Sequence, residues 1–164
     1  MENVNQIKEL LSRVKYASMA TVNHDGTPHN SPLVFLYDHN LEYIFWGSHP
    51  ESQHSQNILR TGQSFFVAFD SVNGSTGLYI QAEDGQMVDG GDLTQALEVH
   101  NHFRAKMGKD VIGISYYIGD SPQRMWRAKV NKVWVNAYER GSDGRLVKDF
   151  KIEINPEELV GLWD

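Results

Sequence analysis

The sequence predicts a mainly β protein with inserted α-helices, an antiparallel barrel of six to seven strands. Three observations predict it. Short runs rich in β-branched and aromatic residues recur along the chain, separated by turn residues such as Asp25-Gly26 and Asp143-Gly144. Helical spacing of apolar residues is confined to a few places, so the strict strand-helix alternation of a parallel sheet is missing. Closing such strands into a barrel also removes most of the exposed edges that an open sheet would leave.

Val4, Ile7, Leu11 and Val14 recur at three- and four-residue steps, which predicts an opening amphipathic helix with one face laid on the body of the protein. From Tyr16 the period changes. A strand over 17–22, a turn at Asn23-His24-Asp25-Gly26 and a strand over 31–37 follow. Asp38-His39-Asn40 turns the chain into a third strand, 41–46, and a short helix then runs to Gly62, which stops it as a C-cap glycine. The next strand is 64–69. Beyond a polar loop at 71–77, a strand over 78–82 continues through a bend near Asp84-Gly85 to Val88.

Asp92, with Gln95 three residues on, resembles a capping box and opens a helix through Ala96, Val99 and Phe103 to Met107, ended by Gly108. Residues 109–122 carry no pattern that assigns them. Residues 125–137 alternate as a long strand with Val130, Trp134 and Val135 as core candidates, and Gly141-Ser142-Asp143-Gly144 is a hairpin turn. A last strand includes Phe150, Ile152 and Ile154, and Asn155-Pro156 supplies the N-cap and first residue of a short closing helix. No repeat, low-complexity tract or linker divides the chain, so residues 1–164 read as a single domain.

A hydrophobic content of 40% in 164 residues is enough for a proper core. Fifteen basic against 21 acidic residues leave a net charge of −6, with no run of Lys or Arg, so nucleic acid and acidic membrane surfaces are not expected partners. The lack of cysteine excludes disulfides, thiolate metal sites and a cysteine nucleophile. The first residues have neither the basic start nor the apolar run of a signal peptide, and no apolar stretch approaches a membrane span; the expected location is cytoplasmic.

The richest stretch chemically is 45–57, Phe-Trp-Gly-Ser-His-Pro-Glu-Ser-Gln-His-Ser-Gln-Asn, which delivers hydroxyls, imidazoles and amides to the opening of a helix directly after a strand. The first turn of a helix has unpaired N–H groups and the positive end of the dipole, so a phosphate fits there without a glycine-rich loop. Ser48, Ser52 and Ser55 can donate through hydroxyls, and His49 and His54 through ring nitrogens. The plainer alternative is that Ser52 only caps the helix, with Ser55 and Asn57 solvated.

Taken together, Ala17-Ser18-Met19-Ala20-Thr21-Val22 with Asp25-Gly26-Thr27-Pro28, then Asn30-Ser31-Pro32-Leu33, Phe45-Trp46-Gly47-Ser48, Gln53-His54-Ser55-Gln56-Asn57-Ile58, Gly77-Leu78-Tyr79-Ile80-Gln81 and Val133-Trp134-Val135-Asn136 form an ordered series. In this order the chain resembles the pyridoxamine 5′-phosphate oxidase-like family of FMN-binding split barrels, over roughly residues 5–140. The resemblance implies an antiparallel six- to seven-stranded split barrel that pairs as a homodimer, with FMN in a groove between protomers. It implies that Asn30, Ser31, Pro32 and Leu33 lie beside the isoalloxazine ring, that Trp46 and Ser48 close the third strand's side of the groove, and that Ser52, Gln53, His54 and Ser55 hold the phosphate, with Asn57 supporting the turn.

Two departures shape the expected activity. Where many members of the family place Lys or Arg against the phosphate, this sequence offers His54, which supplies only part of a positive charge near neutral pH. The Arg-containing C-terminal segment of a true pyridoxamine phosphate oxidase is not recognisable in 141–164, so vitamin B6 oxidation is not expected. The resemblance then implies an FMN-dependent oxidoreductase passing electrons from a reduced nicotinamide to a small acceptor. The alternative is a non-catalytic module that holds flavin, haem or another planar ligand. No catalytic residue is assigned.

Other residues have plainer readings beside functional ones. Trp46 is a ring neighbour or a core residue, and Gln81 reaches a partner's flavin or points outward. Trp126 and Trp134 close a dimer groove or pack ordinarily. Strand alternation sends His29 to the face opposite Asn30, as a surface histidine. His49 and His54 lack a third metal ligand, and His100 and His102, two apart on a helix, are expected as a solvated pair. No metal site is expected.

Overall fold

The computed structural model describes residues 2–73 and 76–163; the middle of the predicted 71–77 loop, Gly74-Ser75, lies outside the described residues. Among them, eight strands form one antiparallel sheet: β1 (Tyr16–Val22), β2 (Pro28–Val34), β3 (Leu36–Tyr37), β4 (Tyr43–Ser48), β5 (Ser64–Phe69), β6 (Gly77–Met87), β7 (Arg124–Arg140) and β8 (Leu146–Ile154). Three α-helices accompany them: α1 (Glu2–Arg13), α2 (Gln53–Thr61) and α3 (Gly90–Lys106). The strand order is β2-β1-β5-β6-β7-β4-β3, with β8 paired to β7, and the sheet curls into a split barrel.

The eighth strand arises because the predicted 31–37 run breaks at Phe35. Its N–H still bonds the Lys15 carbonyl on the β1 side, whereas Leu36 already faces Phe45 of β4. The chain therefore changes partners within one residue, and β2 and β4 become the two lips of the split. The third strand also starts and ends two residues later than expected, so Ser48 is its last residue, in register with Arg124 of β7.

Alternation sorts the side chains into two cores. Ile44 and Trp46 of β4 point into the barrel with Met19, Phe66, Ile80 and Trp126, and Ile7, Leu10 and Leu11 of α1 pack against that core. Phe45 and Met125 point the other way and meet Leu93, Ala96 and Val99 of α3. Strand β4 is thus covered on both faces, which explains its nearly continuous apolar sequence. Trp46 and Trp126 face each other across β4 and β7, with rings 6.5 Å apart and 13° from parallel.

The predicted bend in β6 is a bulge between Glu83 and Gln86, where Asp84 takes φ 53°. Gly62 stops α2 as expected: at φ 66° it donates its N–H to the Ile58 carbonyl at 2.8 Å. The expected capping box does not form. Helix α3 begins at Gly90 behind Asp89, and Asp92, one turn in, pairs with Arg127 at 2.7 Å. Residues 109–122, unassigned by sequence, hold one 3₁₀ turn (Ile114–Tyr116) and a buried Tyr117. Asn155 caps the closing turn by accepting the Glu157 N–H at 3.1 Å, but that turn is a short 3₁₀ segment, Pro156–Glu158.

A second apolar surface faces outward from β1, β5, β6 and β7. Phe65 stacks on Trp134 with centroids 6.1 Å apart, the Lys151 ammonium sits 3.8 Å over the Tyr79 ring, and Tyr16, Val22 and Phe69 are exposed. Among the described residues no helix is long and apolar enough to cross a membrane.

Candidate functional site

The split between β2 and β4 is bridged from α2. His54 lies in the first turn of that helix, and its Nδ1 is 3.1 Å from the Ser31 hydroxyl of β2. Its Nε2 is 2.6 Å from the Ser48 hydroxyl of β4 and 3.1 Å from that of Ser52. Ser52 also meets Ser48 at 3.0 Å and donates to Ser55 at 2.8 Å, while Ser31 meets His29 at 3.2 Å. Six side chains, all hydroxyls and imidazoles, thus form one network across the seam.

The network is electrically neutral at its centre. Burial, with His29 adding a repulsive contribution, holds His54 below the ordinary histidine range, which favours its uncharged form. The nearest registered cation on the sheet is committed elsewhere: Arg124, opposite Ser48, donates to the carbonyls of Gly119, Ser121 and Gln123 and so fixes the turn that precedes β7. Ser52 occupies the N-cap position of α2 but makes no side-chain cap bond. The donors at the head of that helix are therefore its uncapped backbone N–H groups and the serine hydroxyls.

The residues singled out beside the flavin ring divide by strand alternation. Ser31 and Leu33 point inward, whereas Asn30 and Pro32 are exposed on the opposite face, where the Ser18 hydroxyl donates to Asn30 at 2.6 Å. Trp46 lies inside the barrel between Trp126 and Phe66, 1% exposed, with its indole N–H buried and unpartnered among the described residues. Trp126 differs in having a partner, the Ser48 carbonyl at 3.3 Å.

At the head of α2, Ser48, Ser52, His54 and Ser55 come together, and Gln53 and Asn57 form a separate joint. Gln53 donates to the Asn57 amide oxygen, and the Asn57 amide nitrogen donates to Thr21 and Asn23 of the β1 side, each bond 3.0 Å long. Ser55 and Asn57 are both buried rather than solvated, which removes the simple capping alternative for this helix. His29 is half-buried and joins the network, in place of the expected surface position.

Next to the seam, on the outer side of β4, lies a cavity of about 290 Å³ lined by Val34, Gly47, His100, Arg104, Tyr117 and Gln123. The Tyr117 hydroxyl lies 2.7 Å from His100 Nδ1. Burial, then Arg104 and Lys109, hold His100 down at about 4, while burial pushes the Tyr117 phenol up. Both are neutral near pH 7, leaving Arg104 and Lys109 as the cavity's charges. Gly47 leaves room for this arrangement: a Cβ there would lie 3.0 Å from the Tyr117 oxygen and would press the ring aside by a few tenths of an ångström.

The expectation of a solvated His100 and His102 pair is corrected by these contacts and by His102, which stacks on Trp163 at 4.0 Å. The cavity residues were missed from sequence because Lys109, Tyr116, Tyr117 and Gln123 sit in or beside the unassigned 109–122 region. One signal was available: His100 and Arg104 are four apart, on one face of α3.

No family model and no curated protein matches this sequence. Solved structures do share its fold. HutZ, the heme storage protein from Vibrio cholerae, is 21% identical with a TM-score of 0.63, over 80% of this chain and 92% of its own. A Clostridium acetobutylicum protein related to general stress protein 26, of the pyridoxinephosphate oxidase family, is 14% identical with a TM-score of 0.61, over 93% and 95%. A heme binding protein from Mycobacterium smegmatis is 16% identical with a TM-score of 0.61, over 90% of this chain but only 57% of its own length. The fold is therefore the pyridoxamine 5′-phosphate oxidase-like split barrel.

Proposed function

We propose that the protein is a homodimeric FMN-binding oxidoreductase that passes electrons from a reduced nicotinamide to a small acceptor. The observation that carries the reading is the uncapped head of α2 beside Ser48, Ser52 and His54, at the lip of the barrel seam. This donor set fits a phosphate: the first-turn N–H groups point out of the helix, and the hydroxyls can turn from one another to an anion's oxygens. Ser52 is the most accessible of the hydroxyls, and Ser55 supports it from behind.

FMN, when bound, supplies hydride acceptance and electron transfer; the protein supplies position and shielding. Ser31 and Ser48 hold the two lips at a fixed separation through His54. Arg104 and Lys109 favour an anionic or electron-rich acceptor in the adjoining cavity, and the neutral His100 and Tyr117 pair is a hydrogen-bonded wall for it. The outward, partly exposed aromatic face of Phe65, Tyr79 and Trp134, flanked by the exposed Tyr16, Val22 and Phe69, supports pairing with a second copy, because contiguous apolar surface marks an interaction site.

One observation favours a second reading. No Lys or Arg among the described residues hydrogen-bonds into the network, so the phosphate site has dipoles and hydroxyls but no formal positive charge. That lack of charge favours a planar ligand without a phosphate, and haem, whose two propionates need not lie at this helix head, is the one named for two of the structural relatives. The test is the visible spectrum after incubation with FMN, or separately with haemin, and removal of excess by gel filtration. A flavin spectrum near one per protomer, bleached by NADH or NADPH under anaerobic conditions, is the expected result. Retained haem with no retained flavin overturns the enzyme reading, and retained flavin that no nicotinamide reduces moves the protein to the binding class.

A further inference from the structure

A separate cavity of about 350 Å³ opens on the other side of the β2–β3 junction, between α1 and the end of α3. Its walls are apolar, formed by Leu11, Val14, Val34, Phe35, Phe103 and Leu162, yet three lysines, Lys8, Lys15 and Lys106, line it too. Its volume lies at the lower end of the roughly 300–1,000 Å³ range of small-molecule sites.

The lysines run against the character of the chain, whose net charge is −6. None of the three pairs with a carboxylate among the described residues, where the ion pairs join Arg13 to Glu9 and Asp70, Arg127 to Asp92 and Arg145 to Asp143. Lys8 and Lys106 instead donate to the backbone carbonyls of Gly161 and Trp163, each at the long distance of 3.3 Å. An ammonium has three donors, so each keeps capacity for a stronger, charged acceptor.

The segment that receives them is itself fixed. Leu162 donates its N–H to the His39 carbonyl at 2.9 Å, and the Trp163 indole donates to the Tyr37 carbonyl at 3.1 Å. Two ammonium groups from different helices therefore converge on one held strap at the edge of an apolar hole.

From this juxtaposition we propose that the cavity binds a free medium-chain fatty acid, its chain against Leu11, Phe35 and Phe103 and its carboxylate among Lys8, Lys15 and Lys106. The apolar lining selects the chain, and the lysines, which pair with no carboxylate among the described residues, select the sign of the head. The site does not depend on flavin binding, since the Ser31, Ser48 and His54 network takes no part in its walls.

The experiment is a titration of the intact protein with decanoate, followed by amide chemical shifts and by Trp163 emission, with decanol and decylamine as matched probes. Saturable decanoate binding at micromolar concentration is expected, with shifts centred on Leu11, Val14 and Phe103, which line this cavity and not the one at the seam. Lys8→Gln with Lys106→Gln should weaken decanoate about tenfold or more and leave decanol unchanged. Ser12→Trp, an exposed rim change, should exclude both; unaltered circular dichroism in either variant confirms that the fold is kept. Equal binding of decanoate and decylamine, decanoate binding untouched by the lysine changes, or no saturable binding would each overturn the proposal.

Discussion

The Ser48 hydroxyl of β4 lies 2.6 Å from Nε2 of His54, and the other nitrogen of the same imidazole reaches Ser31 of β2. One side chain on a helix thus ties together two strands that share no ladder. His54→Ala removes the partner the two serines share and leaves Ser31 with His29 and Ser48 with Ser52, so the loss of two hydrogen bonds in a largely buried setting should cost about 1–3 kcal/mol. A fall in urea-unfolding stability within that range is expected, and an unchanged midpoint would mean that water replaces the imidazole at no cost.

Ser52 can be altered with less disturbance, because it is partly exposed and its hydroxyl is shared among several neighbours. If the head of α2 holds the FMN phosphate, Ser52→Ala should raise the FMN dissociation constant about tenfold, the worth of one hydrogen bond to a charged group. The thermal midpoint without flavin should move little. Flavin fluorescence titration gives the affinity, and equal affinities for both proteins would put the phosphate somewhere else.

Stability should fall in mild acid through His100. Its folded value of about 4 lies below the ordinary 6.5, so between these two the unfolded chain binds a proton that the folded protein refuses. The unfolded state then binds more protons, and stability decreases as the pH drops through that window; below about 4 both states are protonated and the loss stops growing. The histidines 54 and 102, also held low, act in the same direction. His100→Asn should give a shallower dependence of the urea midpoint on pH from 6.5 to 4, and an equally steep one would assign the slope to other groups.

Gly85 is the tightest joint between the β6 bulge and α2. A Cβ there would lie 2.9 Å from the Ile58 side chain and 3.1 Å from the Gly62 carbonyl, which itself accepts the Gly85 N–H at 2.9 Å. Gly85→Ala should therefore destabilise by about 1–3 kcal/mol, the usual range for overpacking. Thermal unfolding measures it, and a loss below half a kcal/mol would show that the bulge moves freely.

The β architecture was legible because alternation and turn residues are local signals. Asn23 to Gly26, the Gly62 stop and the Asp84-Gly85 bend all fall where the sequence puts them. The break at Phe35 was not legible, since Val34, Phe35, Leu36 and Tyr37 are apolar without interruption and only tertiary pairing tells which belong to β1's neighbour and which to β4's. Asp92 misled for a related reason: an acidic residue in the first turn of a helix suits the dipole whether or not it caps, and here Arg127 claims it. At the site, the gathering of Ser48, Ser52 and His54 follows from their closeness in sequence. The part played by Ser31 and His29 does not, because it depends on the distance between two lips that meet only when the barrel curls.

Strand β7 pairs with β6 along one edge, over 126–135, and along the other edge with β4, over 124–129, and then with β8, over 133–140. During synthesis, β1, β2, β5 and β6 can assemble as the chain emerges, and β3 can pair with β4, but no ladder joins the two groups until β7 follows. A nascent chain halted ahead of Arg124 would hold two incomplete sheets with their inner apolar faces open to solvent or to a chaperone. Barrel closure is then a late event on the ribosome, and a premature stop before β7 should yield an aggregating fragment rather than a smaller folded protein.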